Sequence, residues 1–377
     1  MDRIKLGVLG LNRGKRAAEI AHLLSRKTSI VAVCDLNRPL ADKVGASLDC
    51  GAVYDSYEDM LQSDAIDAVY VASPIPGHAA HVIRALQAGK HVMSEVTALT
   101  DMQDCQSLQE AVRASGKMYM LAENYCYLRS WQTVMNMVRD GVFGELYYAE
   151  GDYLMNFHGR GGFPHIGGWR EEVYHMHRGH VYITHSLGPL AQAFGEPIRS
   201  VCCVGSGSYP REWGLRADCT CNLLCQTESK KLIRLRQDFL SPRPNNYLFY
   251  GLQGTKGAYE GGRSYPGTYH EGDQRENRES CHRVHVKGLC GNDEWRDLYD
   301  FKEYLPEGPG WLSPELIQQY GMHNEGTAVM FDDFADAILE GRESPIGLAE
   351  SLNWTATGLL SEQSADADGM PVGVPVF

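Results

Sequence analysis

No apolar run in this chain approaches the roughly 20 residues that a membrane-spanning helix needs, so no membrane span is expected. Eleven cysteines are present, yet no two form a Cys-x-x-Cys pair, which removes the common zinc and dithiol motifs. Cys219 and Cys221 alternate along a strand-like segment and read as core thiols in a reducing compartment. Basic charge is also scarce: 35 Lys and Arg face 48 Asp and Glu, a net charge of −13. That balance argues against nucleic acid and anionic membrane as partners, since both need a basic face. It leaves neutral small molecules open. No internal repeat and no low-complexity tract appear. A first strand beginning at Ile4 leaves no room for a signal peptide before it, so a cytoplasmic location is expected. At 377 residues the length suits two domains.

The strongest positive signal lies between residues 4 and 35. The apolar run Ile4-Lys5-Leu6-Gly7-Val8-Leu9 ends in Gly10-Leu11-Asn12-Arg13-Gly14, and an alanine-rich helical stretch follows. A second run, Ile30-Val31-Ala32-Val33-Cys34, stops at Asp35. Strand, glycine turn, helix, strand and acid form the layout that holds a dinucleotide. The bare turn admits a pyrophosphate, the helix start offers N–H groups, and the acid accepts from ribose hydroxyls. The glycines read G-x-x-x-G, not G-x-G-x-x-G, so the turn alone also fits a βα corner that binds nothing. Asp35 favours NAD over NADP because it would repel a 2′-phosphate.

The alternation continues through Ala68–Ala72, His91–Glu95 and Met118–Ala122 with helices between them. Such βα repeats predict a Rossmann-type doubly wound parallel sheet with ligands at the strands' carboxyl ends. Asp35, Ser73, Glu95 and Asn124 fall at or just past those ends. After about Asn124 the pattern changes to helices mixed with alternating β segments. The expected fold is therefore α/β, with an NAD-binding domain over 1–123. An α+β domain over 124–377 would carry a mostly antiparallel sheet for substrate binding and oligomerisation. Residues 261–281 read as a long loop. The second sheet has helices for only one face, which predicts a homodimer or homotetramer through the other.

Tyr182 and His185 stand three apart at the start of a predicted helix, His180–Phe194, and can face one cleft together. A phenol beside an imidazole makes an acid/base pair, although such pairs also occur as packing residues. His175, His177, His180 and His185 invite a metal reading, but no cysteine or well-spaced carboxylate supports it, and no metal is expected. Beside Arg170 and Arg178, loop histidines fit a polar substrate better.

Glu95-Val96-Thr97 connects these motifs to a family. Residues 1–125 resemble the glucose–fructose oxidoreductase and inositol dehydrogenase (Gfo/Idh/MocA) superfamily, whose members often read Glu-Lys-Pro here and use the lysine to deprotonate the substrate hydroxyl. This chain lacks that lysine. One branch reads Glu-Val-Pro: the NAD-dependent α-N-acetylgalactosaminidase family of glycoside hydrolases. The rest of the chain resembles that branch in Asn12-Arg13-Gly14, Leu121 through Tyr127, Asn136 through Arg139 and Phe143 through Leu146. The likeness continues in Glu150 through Tyr153, Gly168-Trp169-Arg170, Tyr182 through Pro189, Ser241 through Pro244, Gly254 through Gly257 and Leu360 through Ser364.

The resemblance implies NAD contacts from Gly10, Leu11, Asn12, Arg13, Asp35, Ser73, Ile75, His78, Glu95, Val96 and Asn124. It implies sugar contacts from Tyr153, Arg170 and the Tyr182–His185 segment. It also implies a glycosidase that works by transient carbon-3 oxidation, elimination, water addition and re-reduction, with Tyr153, Tyr182 and His185 as catalytic residues. Four departures fall on the substrate side: Met155 for a His, Ser186 for a Gly, Asn245-Asn246 before Tyr247, and Asn324-Glu325 after His323 where the family has Gly-Gly. They leave the sugar's identity open. The alternatives are a sugar or inositol dehydrogenase using Tyr182 and His185, and a non-catalytic NAD- and sugar-binding regulator.

Overall fold

The computed structural model describes residues 3–155, 168–175, 177–209, 211, 215–240, 246–261, 282–291 and 293–377. Ser241–Pro244, Asn245, the 156–167 stretch, the 262–281 part of the long loop and the side chain of His175 lie outside the described residues.

The first unit runs β1 (Ile4–Leu9), α1 (Leu11–Leu24), β2 (Thr28–Cys34), α2 (Arg38–Ser47), β3 (Ala52–Tyr54) and α3 (Tyr57–Leu61). It continues β4 (Ala68–Val71), α4 (His78–Gln87), β5 (His91–Ser94), α5 (Asp104–Ser115) and β6 (Tyr119–Leu121). Its strands pair in the order β3-β2-β1-β4-β5-β6, all parallel. Chain direction across the sheet reverses between β1 and β4, and a crevice opens there above the strand ends. All four residues of β4 are buried, which explains its unbroken apolar run. β3 is the strand that the sequence pattern missed. It is short and half-buried at the sheet edge, so neither an alternation nor an apolar run marks it.

The second unit begins with α6 (Arg129–Arg139), β7 (Leu146–Leu154), α7 (Trp169–His175) and α8 (Thr184–Phe194). Its next strands are β8 (Ile198–Gly205), β9 (Thr220–Thr227), β10 (Leu232–Asp238), β11 (Asn246–Gly254), β12 (Gly257–Gly261), β13 (His282–Val286) and β14 (Arg296–Asp297). It closes with α9 (Pro314–Tyr320), α10 (Thr327–Glu340), α11 (Leu348–Asp366) and β15 (Val372–Gly373). The nine strands follow the order β14-β13-β12-β11-β7-β10-β9-β8-β15. Among the strands of the described residues only the central β7–β10 pair is parallel, so the sheet is mixed and mostly antiparallel. α8 and α11 cover one face: the Ser186 carbonyl lies against Gly151 of β7, and Ser364 Oγ accepts from Cys203 N at 2.8 Å. α8 starts at Thr184, four residues later than expected, because Gly179–Ile183 form a turn that leads into it.

The last helices return to the first unit. Asp332 of α10 accepts from the backbone N–H groups of Arg26 and Lys27 at 3.1 and 3.0 Å, and Lys27 Nζ pairs with Asp336 at 2.8 Å. The Phe331 ring meets Tyr70 of β4 edge-on at 5.0 Å. No helix among the described residues is long and apolar enough to cross a membrane.

Trp131 of α6 is 1% exposed and packs against the Tyr250 and Tyr259 rings at 5.1 and 6.3 Å, anchoring α6 on the second sheet. Trp131→Ala removes a large buried ring, and urea unfolding is expected to register a loss of about 3–5 kcal/mol.

Candidate functional site

The crevice is built first by the turn after β1. Gly10 has φ +87°, and a Cβ there would meet the Ala72 carbonyl oxygen at 2.6 Å. Only glycine allows this turn and β4 to approach so closely. Asp35 closes the end of β2, its two oxygens accepting from Leu11 N at 2.7 Å and Asn37 N at 2.9 Å. Each oxygen keeps a second lone pair for a ribose hydroxyl. Gly10, Asn12, Arg13, Asp35 and Ser73 line a cavity of about 650 Å³.

Arg13 is held from both sides. Its Nε lies 3.2 Å from Glu95 Oε1, and its Nη2 donates to His323 Nε2 at 2.7 Å. Burial pushes the Glu95 carboxyl up. Arg13, with a 2.6 Å hydrogen bond from the Tyr70 hydroxyl, outweighs it and holds the group below its ordinary value. Glu95 is thus the buried counter-ion of Arg13. His78 is also turned inward: its ring nitrogens lie 2.8 Å from the carbonyls of Thr97 and Ser73, and burial lowers its pKa. It fixes the loops after β4 and β5. His81, absent from the sequence reading, lines the cavity and meets Ser73 Oγ at 2.9 Å. Ile75 and Val96 are buried beneath these loops, and the Val96–Thr97 peptide is cis. Asn124 donates to the His323 carbonyl, while its buried Oδ1 has no hydrogen-bond partner among the described residues.

The glycine cradle, the Asp35 acceptor, the cavity and the unpartnered Asn124 oxygen fit a dinucleotide.

A second cluster stands beside Asn124. Tyr182, in the turn before α8, has its hydroxyl 3.3 Å from His185 Nε2. His185 Nδ1 lies 2.6 Å from Glu123 Oε1, and both side chains are fully buried. An ionised carboxylate accepts only, so the network assigns the ring proton to Nδ1 and leaves Nε2 to accept from Tyr182. The resulting relay runs from Tyr182 through His185 to Glu123. Tyr125 stacks on the imidazole at 4.3 Å and 19°, and Tyr250 donates to the His185 carbonyl. The buried Tyr153 ring lies 5.5 Å from His185 and 5.9 Å from Tyr182.

His323 joins the two clusters. Arg13 can only donate, so His323 Nε2 is unprotonated and its Nδ1–H donates to Tyr125 Oη at 2.8 Å. Glu123 and His323 carry no sequence signal for these roles, since Glu123 stands 62 positions from His185 and His323 310 from Arg13. His177 pairs with Glu362 at 2.8 Å and His180 with Ser186 Oγ at 2.8 Å, so the histidine-rich segment is spread over separate partners. Arg170 stands on the wall of the large cavity with Asp35, and none of Tyr153, Tyr182 or His185 lines that cavity. Of the substrate-side departures, Asn324 Nδ2 donates to the Tyr320 carbonyl at 2.8 Å and Glu325 accepts from Arg129 N at 3.1 Å.

Asp35→Ala is expected to weaken NAD binding by about 1–3 kcal/mol through the lost ribose bonds. Calorimetric titration checks this, and unchanged affinity would remove the ribose role from Asp35.

Residues 4–123 match the family described as "Oxidoreductase family, NAD-binding Rossmann fold", and residues 216–377 match "Glycosyl hydrolase 109, C-terminal domain". A glycosyl hydrolase family 109 protein of Saccharopolyspora erythraea is 27% identical, over 100% of this chain and 83% of that protein. Glycosyl hydrolase family 109 protein 4 of Phocaeicola vulgatus is 32% identical over 68% of this chain and 55% of its own length. Among solved structures, levoglucosan dehydrogenase in complex with NADH and L-sorbose superposes with a TM-score of 0.79 at 18% identity, covering 100% of both chains. Lactobacillus casei scyllo-inositol dehydrogenase with NAD(H) and scyllo-inositol gives 0.70 at 19%, covering 99% of each. These two establish the shared fold. The chain thus joins a Gfo/Idh/MocA-family NAD-binding Rossmann domain to a glycosyl hydrolase 109 C-terminal domain.

Proposed function

We propose that this protein is an NAD-dependent glycoside hydrolase that cleaves its substrate through transient oxidation at carbon 3 of the sugar. The observation that carries this reading is the buried Tyr182–His185–Glu123 relay beside the dinucleotide crevice. Family 109 relatives over the full chain support the hydrolase class. The residues at Val96 and Thr97 supply no lysine base, so the relay takes its place.

NAD in the crevice supplies reversible acceptance of a hydride from a hydroxyl-bearing carbon. The chain's own groups handle protons. Tyr182 Oη takes the carbon-3 hydroxyl proton as its own passes to His185 Nε2, and the Glu123 carboxylate stabilises the imidazolium. A ketone at carbon 3 acidifies the hydrogen on carbon 2, which we assign to Tyr153. Tyr153 takes that hydrogen as its own hydroxyl proton passes to the departing anomeric oxygen, and water then adds, its hydroxyl to carbon 1 and its proton to carbon 2. Reversal of the first step through the same relay restores the carbon-3 hydroxyl. The net reaction is hydrolysis, with no carboxylate pair of the usual glycosidase kind. The substrate class is a pyranoside with a free carbon-3 hydroxyl.

Product formed in deuterated water is expected to carry deuterium at carbon 2. Glu123→Gln and His185→Ala are expected to slow turnover by about 10²–10⁴-fold while NAD still binds. Tyr153→Phe should slow the carbon-2 exchange selectively. Hydrolysis without deuterium at carbon 2 would falsify the elimination route. Stoichiometric NADH from free sugar, with no glycoside cleaved, would establish a dehydrogenase.

We further propose a homo-oligomer in the cytoplasm, paired through the uncovered face of the second sheet. Leu224 and Val204 are 48% and 62% exposed there, beside Arg234 paired with Glu150 and Asp152. The absence of any disulfide among the described residues supports a reducing compartment. Light scattering at micromolar concentration is expected to give a dimer or tetramer, and Leu224→Glu to shift it toward monomer. A monomeric wild type rules the pairing out.

A further inference from the structure

Tyr182 stands near the end of a strap, residues 177–183, that lies between α7 and α8 and has no helix or strand of its own. Without ladder bonds, such a segment takes its place from the groups that satisfy its backbone and side chains. α11 supplies many of these. Glu362 Oε2 accepts from His177 Nδ1–H at 2.8 Å, and Glu362 Oε1 accepts from Arg178 N at 3.3 Å. Ser361 Oγ accepts from His180 N at 2.8 Å, and the Arg178 guanidinium donates to the Ala365 carbonyl at 2.9 Å.

Two glycines let the strap lie this close. Gly179 has φ +72°, and a Cβ there would meet Ser361 Oγ and, at 2.9 Å, the Glu362 nitrogen. A Cβ on Gly358 of α11 would meet the His180 carbonyl oxygen and Ile183 Cγ2 at 2.8 Å each. On its other side the strap faces the loops after β4 and β5 across a small cavity lined by Ile75, Thr97, Val181 and Tyr182. That gap leaves room to shift, so the strap depends on its attachment to α11.

Glu362 holds two strap residues at once. Burial pushes its carboxyl up, but the His177 bond, the Arg178 N–H and Arg216 at 3.0 Å outweigh burial and hold it below its ordinary value. It therefore stays an ionised acceptor, and its bonds to the strap are charge-assisted. At 3.3 Å the Tyr182–His185 bond is already long. A shift of about half an ångström would take it out of range.

We infer that Glu362 is a positioning residue for the proton step at carbon 3: by fastening His177 and Arg178 to α11 it sets the Tyr182 hydroxyl against His185 Nε2. This rests on the proposed reaction, in which Tyr182 takes the carbon-3 hydroxyl proton.

The test follows reduction of bound NAD in the purified full-length protein on mixing with an aryl pyranoside that it cleaves. Amide hydrogen exchange across 177–183 is read in parallel by mass spectrometry. Glu362→Gln keeps the shape of the side chain and removes its charge. It is expected to slow NAD reduction by about ten- to a hundredfold, to leave the NAD dissociation constant unchanged, and to speed exchange of the strap about tenfold. Gly179→Ala, which pushes the strap off α11 without touching a charge, is expected to act in the same direction, and Glu362→Asp to restore part of the rate. A double-mutant cycle separates positioning from mere support. In a Tyr182→Phe background Glu362→Gln is expected to cost little more, because both act through one hydroxyl. Additive losses in the cycle, or strap exchange as slow as wild type, overturn the inference. Thermal melting checks folding, and His177→Gln stands in if Glu362→Gln does not fold. If only free sugar reduces the cofactor, the glycosidase reading fails and the same cycle on that reaction decides the inference. If neither substrate reacts, strap exchange decides: faster exchange in Glu362→Gln upholds the placement of Tyr182 by Glu362, and unchanged exchange overturns it.

Discussion

Arg13 ties the cofactor crevice to the Tyr182–His185–Glu123 cluster through His323. A carboxylate buried as deeply as Glu95 cannot stay ionised without a partner, and the Arg13 guanidinium is that partner. The same guanidinium fixes the tautomer of His323, and His323 in turn holds the Tyr125 hydroxyl. The Tyr125 ring lies flat on His185, whose ring nitrogens meet Tyr182 and Glu123. From Glu95 through Arg13 and His323 to Tyr125 each polar group meets the next by a polar contact, whereas at the far end the buried Glu123 Oε2 has no hydrogen-bond partner among the described residues. Removing a member leaves a buried charge or donor without a partner, which costs more than the lost bond itself.

This line crosses the chain's main division. Glu95 and Arg13 belong to the parallel sheet, His185 to the helix against the second sheet, and His323 to the segment before α10. Tertiary support comes from α10, which lies across α1 and is pinned by Asp332 to the backbone at Arg26 and Lys27. The first unit is therefore completed by residues from the end of the sequence. The two units work as one site because the helices that finish one also position residues of the other.

The acid/base cluster depends on burial as much as on contact. Both His185 and Glu123 are fully buried, so their 2.6 Å bond acts where water does not screen it. Tyr153 is buried and Tyr182 half-buried beside that dry region. The arrangement suits reversible proton transfer. The described histidines around it each have their own partner, His177 with Glu362, His180 with Ser186 and His185 with Glu123.

The local physics of short segments made much of this protein legible. An apolar run, a glycine that alone tolerates φ +87°, and an acid at the next strand's end define the dinucleotide crevice within 35 residues. The repeated βα pattern gave the parallel sheet, because strands buried on both faces must be continuously apolar. Helical spacing predicted that Tyr182 and His185 would meet; they do, at 3.3 Å, but through the turn before the helix, where Tyr182 sits. Glu123, His81 and His323 were not readable, since nothing in their neighbourhoods records partners elsewhere in the chain. Glu95 and His78 were assigned to the cofactor, yet the fold turns Glu95 toward Arg13 and His78 toward two carbonyls. Sequence determined the elements and the crevice, because those follow from propensity and periodicity over a few residues. Which carboxylate orients which histidine, and on which wall Arg170 stands, was decided only by tertiary packing, because those contacts join residues that share no local pattern.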